Sequence, residues 1–202
     1  MKLNKRRGTL IILSGPSGSG KGTVLKNFFE NYGDKNVKLS VSATTREPRE
    51  GEIDGVNYFF ISKTSFEKMI DEDKFLEWAS FCDNFYGTPL SFVDENLENG
   101  CDVILEIEVQ GALKVMEKRN DAVSVFILPP SAAELEKRLI GRQTESMDVI
   151  EKRITQAKWE ISNLEKYTYF VVNDTVEDAA KKFKAIIDAE RLKTDKQKDF
   201  EF

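Results

Sequence analysis

The chain has 202 residues, 30 of them Lys or Arg against 35 Asp or Glu, a formal charge of −5 and no histidine. This length supports one sizeable core with small insertions rather than two full independent domains. The acidic balance argues against a nucleic-acid or membrane-surface role, and the missing imidazole excludes histidine acid–base chemistry and histidine-ligated metals.

Carboxylates, lysine and arginine are left to carry any chemistry. The two cysteines, Cys82 and Cys101, lack metal-ligand spacing, so reduced thiols are expected rather than a disulfide. The basic start at residues 1–8 precedes an apolar run too short for a signal peptide or a membrane span. A soluble, cytoplasmic protein is the expectation.

Residues 10–13 form an apolar strand, followed by Ser14-Gly15-Pro16-Ser17-Gly18-Ser19-Gly20-Lys21-Gly22-Thr23 and then Val24, Leu25, Phe28 and Phe29 at helical spacing. Glycines between a strand and a helix let backbone N–H groups wrap a phosphate, the helix N-terminus adds its dipole, and Lys21 adds a point charge for the β/γ oxygens. The stretch therefore predicts a cradle for a nucleoside triphosphate. Gly22 stands where the motif has a hydroxyl and Thr23 follows it, so Thr23 is expected to reach Mg²⁺ through a water.

Residues 37–41 alternate as a strand and enter a loop carrying Arg46, Pro48, Arg49 and Gly51. Two arginines so spaced on a loop can converge on one anion, or be solvated charges among glutamates. Asp54-Gly55 signals a hairpin between Ile53 and a strand at residues 56–61. A helix over 62–73, a strand over 75–81, a turn at Asp83-Asn84 and a further extended segment to Pro89 complete a strand-rich lobe over 37–89. Glu77, inside the aromatic strand, is either an edge residue facing water or an acceptor for a ligand.

Residues 101–108 suit a strand buried on both faces, with Glu106 and Glu108 on one side at its C-terminal end, where a carboxylate can serve Mg²⁺. A helix then carries Leu113, Val115 and Met116, and a strand from Ala122 to Leu128 stops at Pro129-Pro130. Ser131 with Glu134 forms a capping box. Arg138 and Arg142 share the face of the helix it starts, and Arg153 lies near the start of the next, beyond a break at 141–146. Three arginines around such a turn suit a closing lid, although a helical arginine is more often simply solvated. A last strand at 168–173 leads to a helix capped by Asp174 or Thr175.

Taken together the motifs resemble the guanylate kinase family over nearly the full length. They include residues 15–21, 42–52 (Ser-Ala-Thr-Thr-Arg-Glu-Pro-Arg-Glu-Gly-Glu), Phe75-Leu76-Glu77-Trp78-Ala79, Tyr86-Gly87-Thr88, residues 104–111, Lys137-Arg138-Leu139 and Gly141-Arg142. The resemblance implies a three-layer α/β/α P-loop core with a mainly parallel sheet, formed by 1–36, 90–130 and 166–202. It adds an inserted mixed-β GMP-binding lobe at 37–89 and a helical lid at 131–165.

It also implies phosphoryl transfer from ATP to GMP with Mg²⁺. Arg46, Arg49, Tyr58 and Tyr86 would hold the GMP phosphate, while Ser42, Glu77, Thr88 and Glu108 would address guanine. Gly15, Pro16, Ser17, Gly18, Ser19, Gly20, Lys21, Gly22, Thr23 and Asn173 would hold ATP. Lys21, Arg138, Arg142 and Arg153 would be catalytic, and Glu106 with Thr23 would serve the metal. An acceptor phosphate already ionised at neutral pH needs no general base, in keeping with a chain that has no histidine. Two alternatives stand beside this reading: a non-catalytic module of the same fold that binds proteins, and a P-loop kinase for another nucleotide or a sugar phosphate. A homo-oligomer is left open.

Overall fold

β1 (Leu10–Ser14) is buried along its whole length, and its alternation splits the core in two. In the computed structural model, which describes residues 6–81, 83–140 and 147–196, Ile11 and Leu13 point to one face of a sheet and Leu10 and Ile12 to the other. The chain continues through α1 (Lys21–Asn31), β2 (Val37–Leu39), β3 (Ala43–Thr44), β4 (Phe59–Phe60), α2 (Lys63–Asp71), β5 (Phe75–Phe81) and β6 (Asn84–Pro89). It goes on through α3 (Leu90–Glu98), β7 (Asp102–Glu106), α4 (Val109–Lys118), β8 (Val123–Leu128), α5 (Ala132–Ile140), α6 (Met147–Ser162), β9 (Tyr169–Val172) and α7 (Val176–Arg191).

Five strands form a parallel sheet in the order β2-β7-β1-β8-β9. α1 and α7 cover one face, where Phe28 meets Phe183 edge to face at 5.1 Å, and α3 and α4 cover the other with Val93, Leu97, Val109, Ala112 and Val115. Strands buried on both faces explain why β1 and β7 read as unbroken apolar runs. At the opposite end of the sheet from the glycine-rich loop, the fully buried Asp102 is matched by Arg6 and Arg191, each at 2.7 Å, and by the Thr9 N–H. A buried carboxylate so satisfied anchors the N-terminal segment and α7 to the sheet.

The second sheet, in the order β4-β3-β6-β5, packs on α2 through Phe66, which stacks on Phe75 at 4.2 Å and on Phe85 at 5.4 Å. Ser62 caps α2 by accepting from the Ser65 N–H. This sheet begins at β3, so the lobe start expected at residue 37 is too early: β2 pairs in parallel with β7 inside the core sheet. The Asp54-Gly55 signal is a turn but not a two-stranded hairpin. Gly55 N–H closes it on the Tyr58 carbonyl, and β4 pairs in parallel with β3 instead.

Helices α5 and α6 clasp each other through Leu135, Leu139 and Ala157. Ser131 accepts from the Glu134 N–H at 3.1 Å, as the capping box requires, and Thr175 caps α7. Cys101 is a free thiol, whereas Cys82 lies outside the described residues. Among the described residues no helix is long and apolar enough to cross a membrane.

Candidate active site

The loop between β1 and α1 is shaped by backbone that side chains cannot share. A Cβ on Gly15 would run into the Ile127 carbonyl. Gly20, at φ 87°, caps α1 in the left-handed region, and a Cβ there would collide with the Asn173 amide nitrogen. That nitrogen donates to the Ser19 carbonyl at 2.8 Å, so the buried Asn173 holds the loop from behind. Ser17, Gly18, Gly20, Lys21, Gly22, Thr23 and Arg138 surround a cavity of about 720 Å³ over the start of α1.

Lys21 donates to the carbonyls of Gly15 at 2.6 Å and Pro16 at 3.2 Å. Burial holds its ammonium below the usual lysine range, against the pull of Glu106, Glu160 and Glu108. A lysine ringed by carboxylates at a helix N-terminus is a site prepared for an anion that arrives with its own cation.

β7 ends in Glu106, and Glu108 is the N-cap residue before α4, so both carboxylates stand at the C-terminal edge of the sheet, where ligands of open α/β sheets bind. Glu106 Oε1 lies 3.6 Å from the point a Gly22 Cβ would occupy. Burial pushes the Glu106 carboxyl upward, with Lys21 opposing.

Glu106 and Glu108 also line a second cavity of about 560 Å³, together with Tyr58, Tyr86 and Glu77 from the lobe and Ser80, Gln110, Gly111 and Lys114 among others. Thr88, fully buried, donates its hydroxyl to Glu77 Oε1 at 2.8 Å. Glu77 sits on the edge strand β5 but faces this cavity, and burial pushes its carboxyl up more than Thr88 and Lys114 hold it down.

Arg46 stands behind the tyrosines, its guanidinium 5.6 Å from the Tyr58 ring centre. Glu52 receives it at 2.8 and 2.9 Å and also accepts the Arg49 main-chain N–H, so this one carboxylate shapes the loop. The Arg49 side chain is exposed, and neither it nor Ser42 is among the residues lining the cavity.

Of the three arginines expected to close over the phosphates, Arg138 pairs with Glu134 at 3.0 Å and reaches the loop cavity. Arg153 is half-buried on α6 and lines neither cavity, and Arg142 lies outside the described residues.

Two charged residues, Lys114 of α4 and Glu160 of α6, escape the sequence reading. Glu160 of α6 is 6% exposed, accepts from Gln156 at 3.4 Å and from the Ser17 N–H, and is held above the ordinary carboxylate range by burial. Its signal is a carboxylate among the apolar positions Ala157 and Ile161. Beside it burial pushes the Tyr167 phenol up to about 12.

A phosphate-binding loop at the end of a parallel sheet, a separate lobe with its own cavity, and carboxylates shared between the two define a P-loop phosphotransferase. The family model for guanylate kinase matches residues 7–190. Guanylate kinases of Caldanaerobacter subterraneus subsp. tengcongensis and Halalkalibacterium halodurans are 54% and 52% identical over 195 and 194 residues, in each case 96% of this chain and 94% of the relative. The crystal structure of guanylate kinase from Anaplasma phagocytophilum superposes with a TM-score of 0.72 at 35% identity, covering 96% of this chain and 92% of that one. The chain belongs to the guanylate kinase family.

Proposed function

We propose that this chain transfers the γ-phosphoryl group of ATP to GMP, giving ADP and GDP, with ATP in the loop cavity and GMP in the lobe cavity. The observation that carries the reading is the position of Glu106, which lines the lobe cavity while its Oε1 stands over Gly22 at the loop. Two ligands in these cavities would meet end to end at that carboxylate. In-line phosphoryl transfer requires such a meeting.

In this reading Gly15, Pro16, Ser17, Gly18, Ser19, Gly20, Gly22 and Thr23 cradle the ATP phosphates, and Lys21 leaves its carbonyl partners for their oxygens. Asn173, whose amide nitrogen holds the loop, would offer adenine its carbonyl oxygen. Arg138, Arg142 and Arg153 would close over the phosphates and neutralise charge in the transition state. Arg46, Tyr58, Tyr86 and Arg49 would take the GMP phosphate. Glu77, steadied by Thr88, would accept from the guanine ring N–H and amino group, with Ser42 and Glu108 completing the base contacts.

Mg²⁺ fits the residues present. No cluster of three or more metal-ligating side chains occurs among the described residues, and Mg²⁺ commonly uses one or two carboxylates together with substrate phosphates and water. Glu106, and Thr23 through water, would hold it. When bound it would neutralise charge on the β and γ phosphates. A cytoplasmic location goes with the reading, in keeping with the free Cys101 thiol.

The test follows both products by chromatography after mixing the chain with ATP, Mg²⁺ and GMP. ADP and GDP formed one for one support the proposal. ATP loss without GDP, or no ATP loss, would overturn it.

A further inference from the structure

The lobe cavity has an uneven charge lining: three carboxylates, Glu77, Glu106 and Glu108, face one cation, Lys114. The two oxygens of Glu77 keep different company. Oε1 takes the Thr88 hydroxyl at 2.8 Å. Oε2 is turned toward α4, 3.5 Å from the point where a Gly111 side chain would begin. Lys114 follows Gly111 by one helical turn on the same face. Glu77 thus faces α4 at Gly111 at ordinary contact distance, and Lys114 supplies that face of the cavity with its positive charge.

We propose that Lys114 is a positioning residue of the acceptor site, holding Glu77 in the charged, acceptor-only form that guanine requires. The inference rests on the guanine reading of this cavity and deepens it. A guanine edge offers a ring N–H and an amino group, both donors, and an ionised carboxylate accepts from both. A protonated carboxyl carries a proton on one oxygen and meets one of those donors with another donor.

The surroundings of Glu77 make help necessary. Burial disfavours its charge, Thr88 and Lys114 favour it, and Tyr58, Tyr86, Glu106 and Glu108 bring no positive charge to the cavity. Because the Lys114 side chain is solvent-exposed, water screens its influence and the effect is modest.

The experiment measures kcat/KM for GMP from about pH 5 to about pH 8.5 on the full chain, on Lys114→Met and on Lys114→Arg. The GMP phosphate titrates identically in all three, so differences between the curves report the protein. Lys114→Met should move the acid limb upward by about half to one pH unit, which lowers its kcat/KM about three- to tenfold relative to the parent on that limb. Lys114→Arg should restore the parent curve, and KM for ATP at saturating GMP should show no such shift.

Superimposable acid limbs, failure of arginine to restore, or an equal shift in the ATP curve would overturn the inference while leaving the guanine reading in place. A parent chain that turns over no GMP at any pH would overturn both.

Discussion

Glu106 Oε1 lies 3.6 Å from where a side chain on Gly22 would begin, so the end of β7 stands directly over the first turn of α1. That carboxylate stands at ordinary contact distance from the α1 backbone at Gly22, and it also closes the wall of the lobe cavity. Glu106→Ala should therefore disturb the junction of donor and acceptor and leave each cavity formed. We expect kcat to fall about 10²-fold or more and the Mg²⁺ concentration for half-maximal rate to rise, with KM for GMP changed far less. Steady-state kinetics over a Mg²⁺ series checks this.

Lys21 donates to two loop carbonyls and is partly desolvated, so its charge contributes little to the resting fold. Lys21→Met should reduce phosphoryl transfer by about 10³-fold or more while the melting temperature stays within about 3 °C of the parent. Near-normal turnover in this variant would contradict the assignment of the loop.

Glu77 is a carboxylate raised by burial, which fixes the sign of its effect on stability. The folded chain binds this proton more tightly than the unfolded one. Its contribution therefore weakens the fold as pH rises from about 4.5 through the raised folded value, and the cost is full above it. Glu77→Gln, which keeps an acceptor for Thr88, should match or exceed the parent in melting temperature at neutral pH, and the difference should close near pH 4. GMP use should nevertheless fall by about 10² to 10⁴-fold. Melting curves at the two pH values and kcat/KM for GMP test both halves.

The strand-loop-helix around residues 14–23 was legible because it lies in one contiguous stretch, with β1 before it and α1 after it. The buried runs of β1 and β7 were legible for the same reason, since burial on both faces leaves a continuous apolar string. Sheet membership was not. Val37-Lys38-Leu39 alternates equally well for either sheet, and only pairing with the distant β7 decides that β2 belongs to the core. Asp54-Gly55 announced a turn correctly, but a turn signal does not state which strand the chain will next join, and β4 joins β3 in parallel.

α3 went unread although Leu90, Val93 and Leu97 have helical spacing. Lys114 and Ser80 gain their surroundings from elements far apart in the chain, so no local pattern marks them, whereas Glu160 is marked only by being a carboxylate among the apolar positions Ala157 and Ile161.

Gly20 makes the loop's demand on backbone geometry testable. At φ 87° an alanine costs about 1–2 kcal/mol, and its methyl group would displace the Asn173 amide from the Ser19 carbonyl. Gly20→Ala should lower the melting temperature by about 2–8 °C and raise KM for ATP about tenfold or more. KM for GMP should move much less. A melt and two substrate titrations decide it.

The most direct measurement is ADP release from ATP and Mg²⁺ with GMP, AMP, CMP and UMP supplied in turn. If Glu77 and Thr88 select guanine in the cavity that abuts the loop at Glu106, GMP should be used with kcat/KM at least about 10²-fold above the other three. Equal use of all four, or preference for a monophosphate without the guanine donors, would contradict the account.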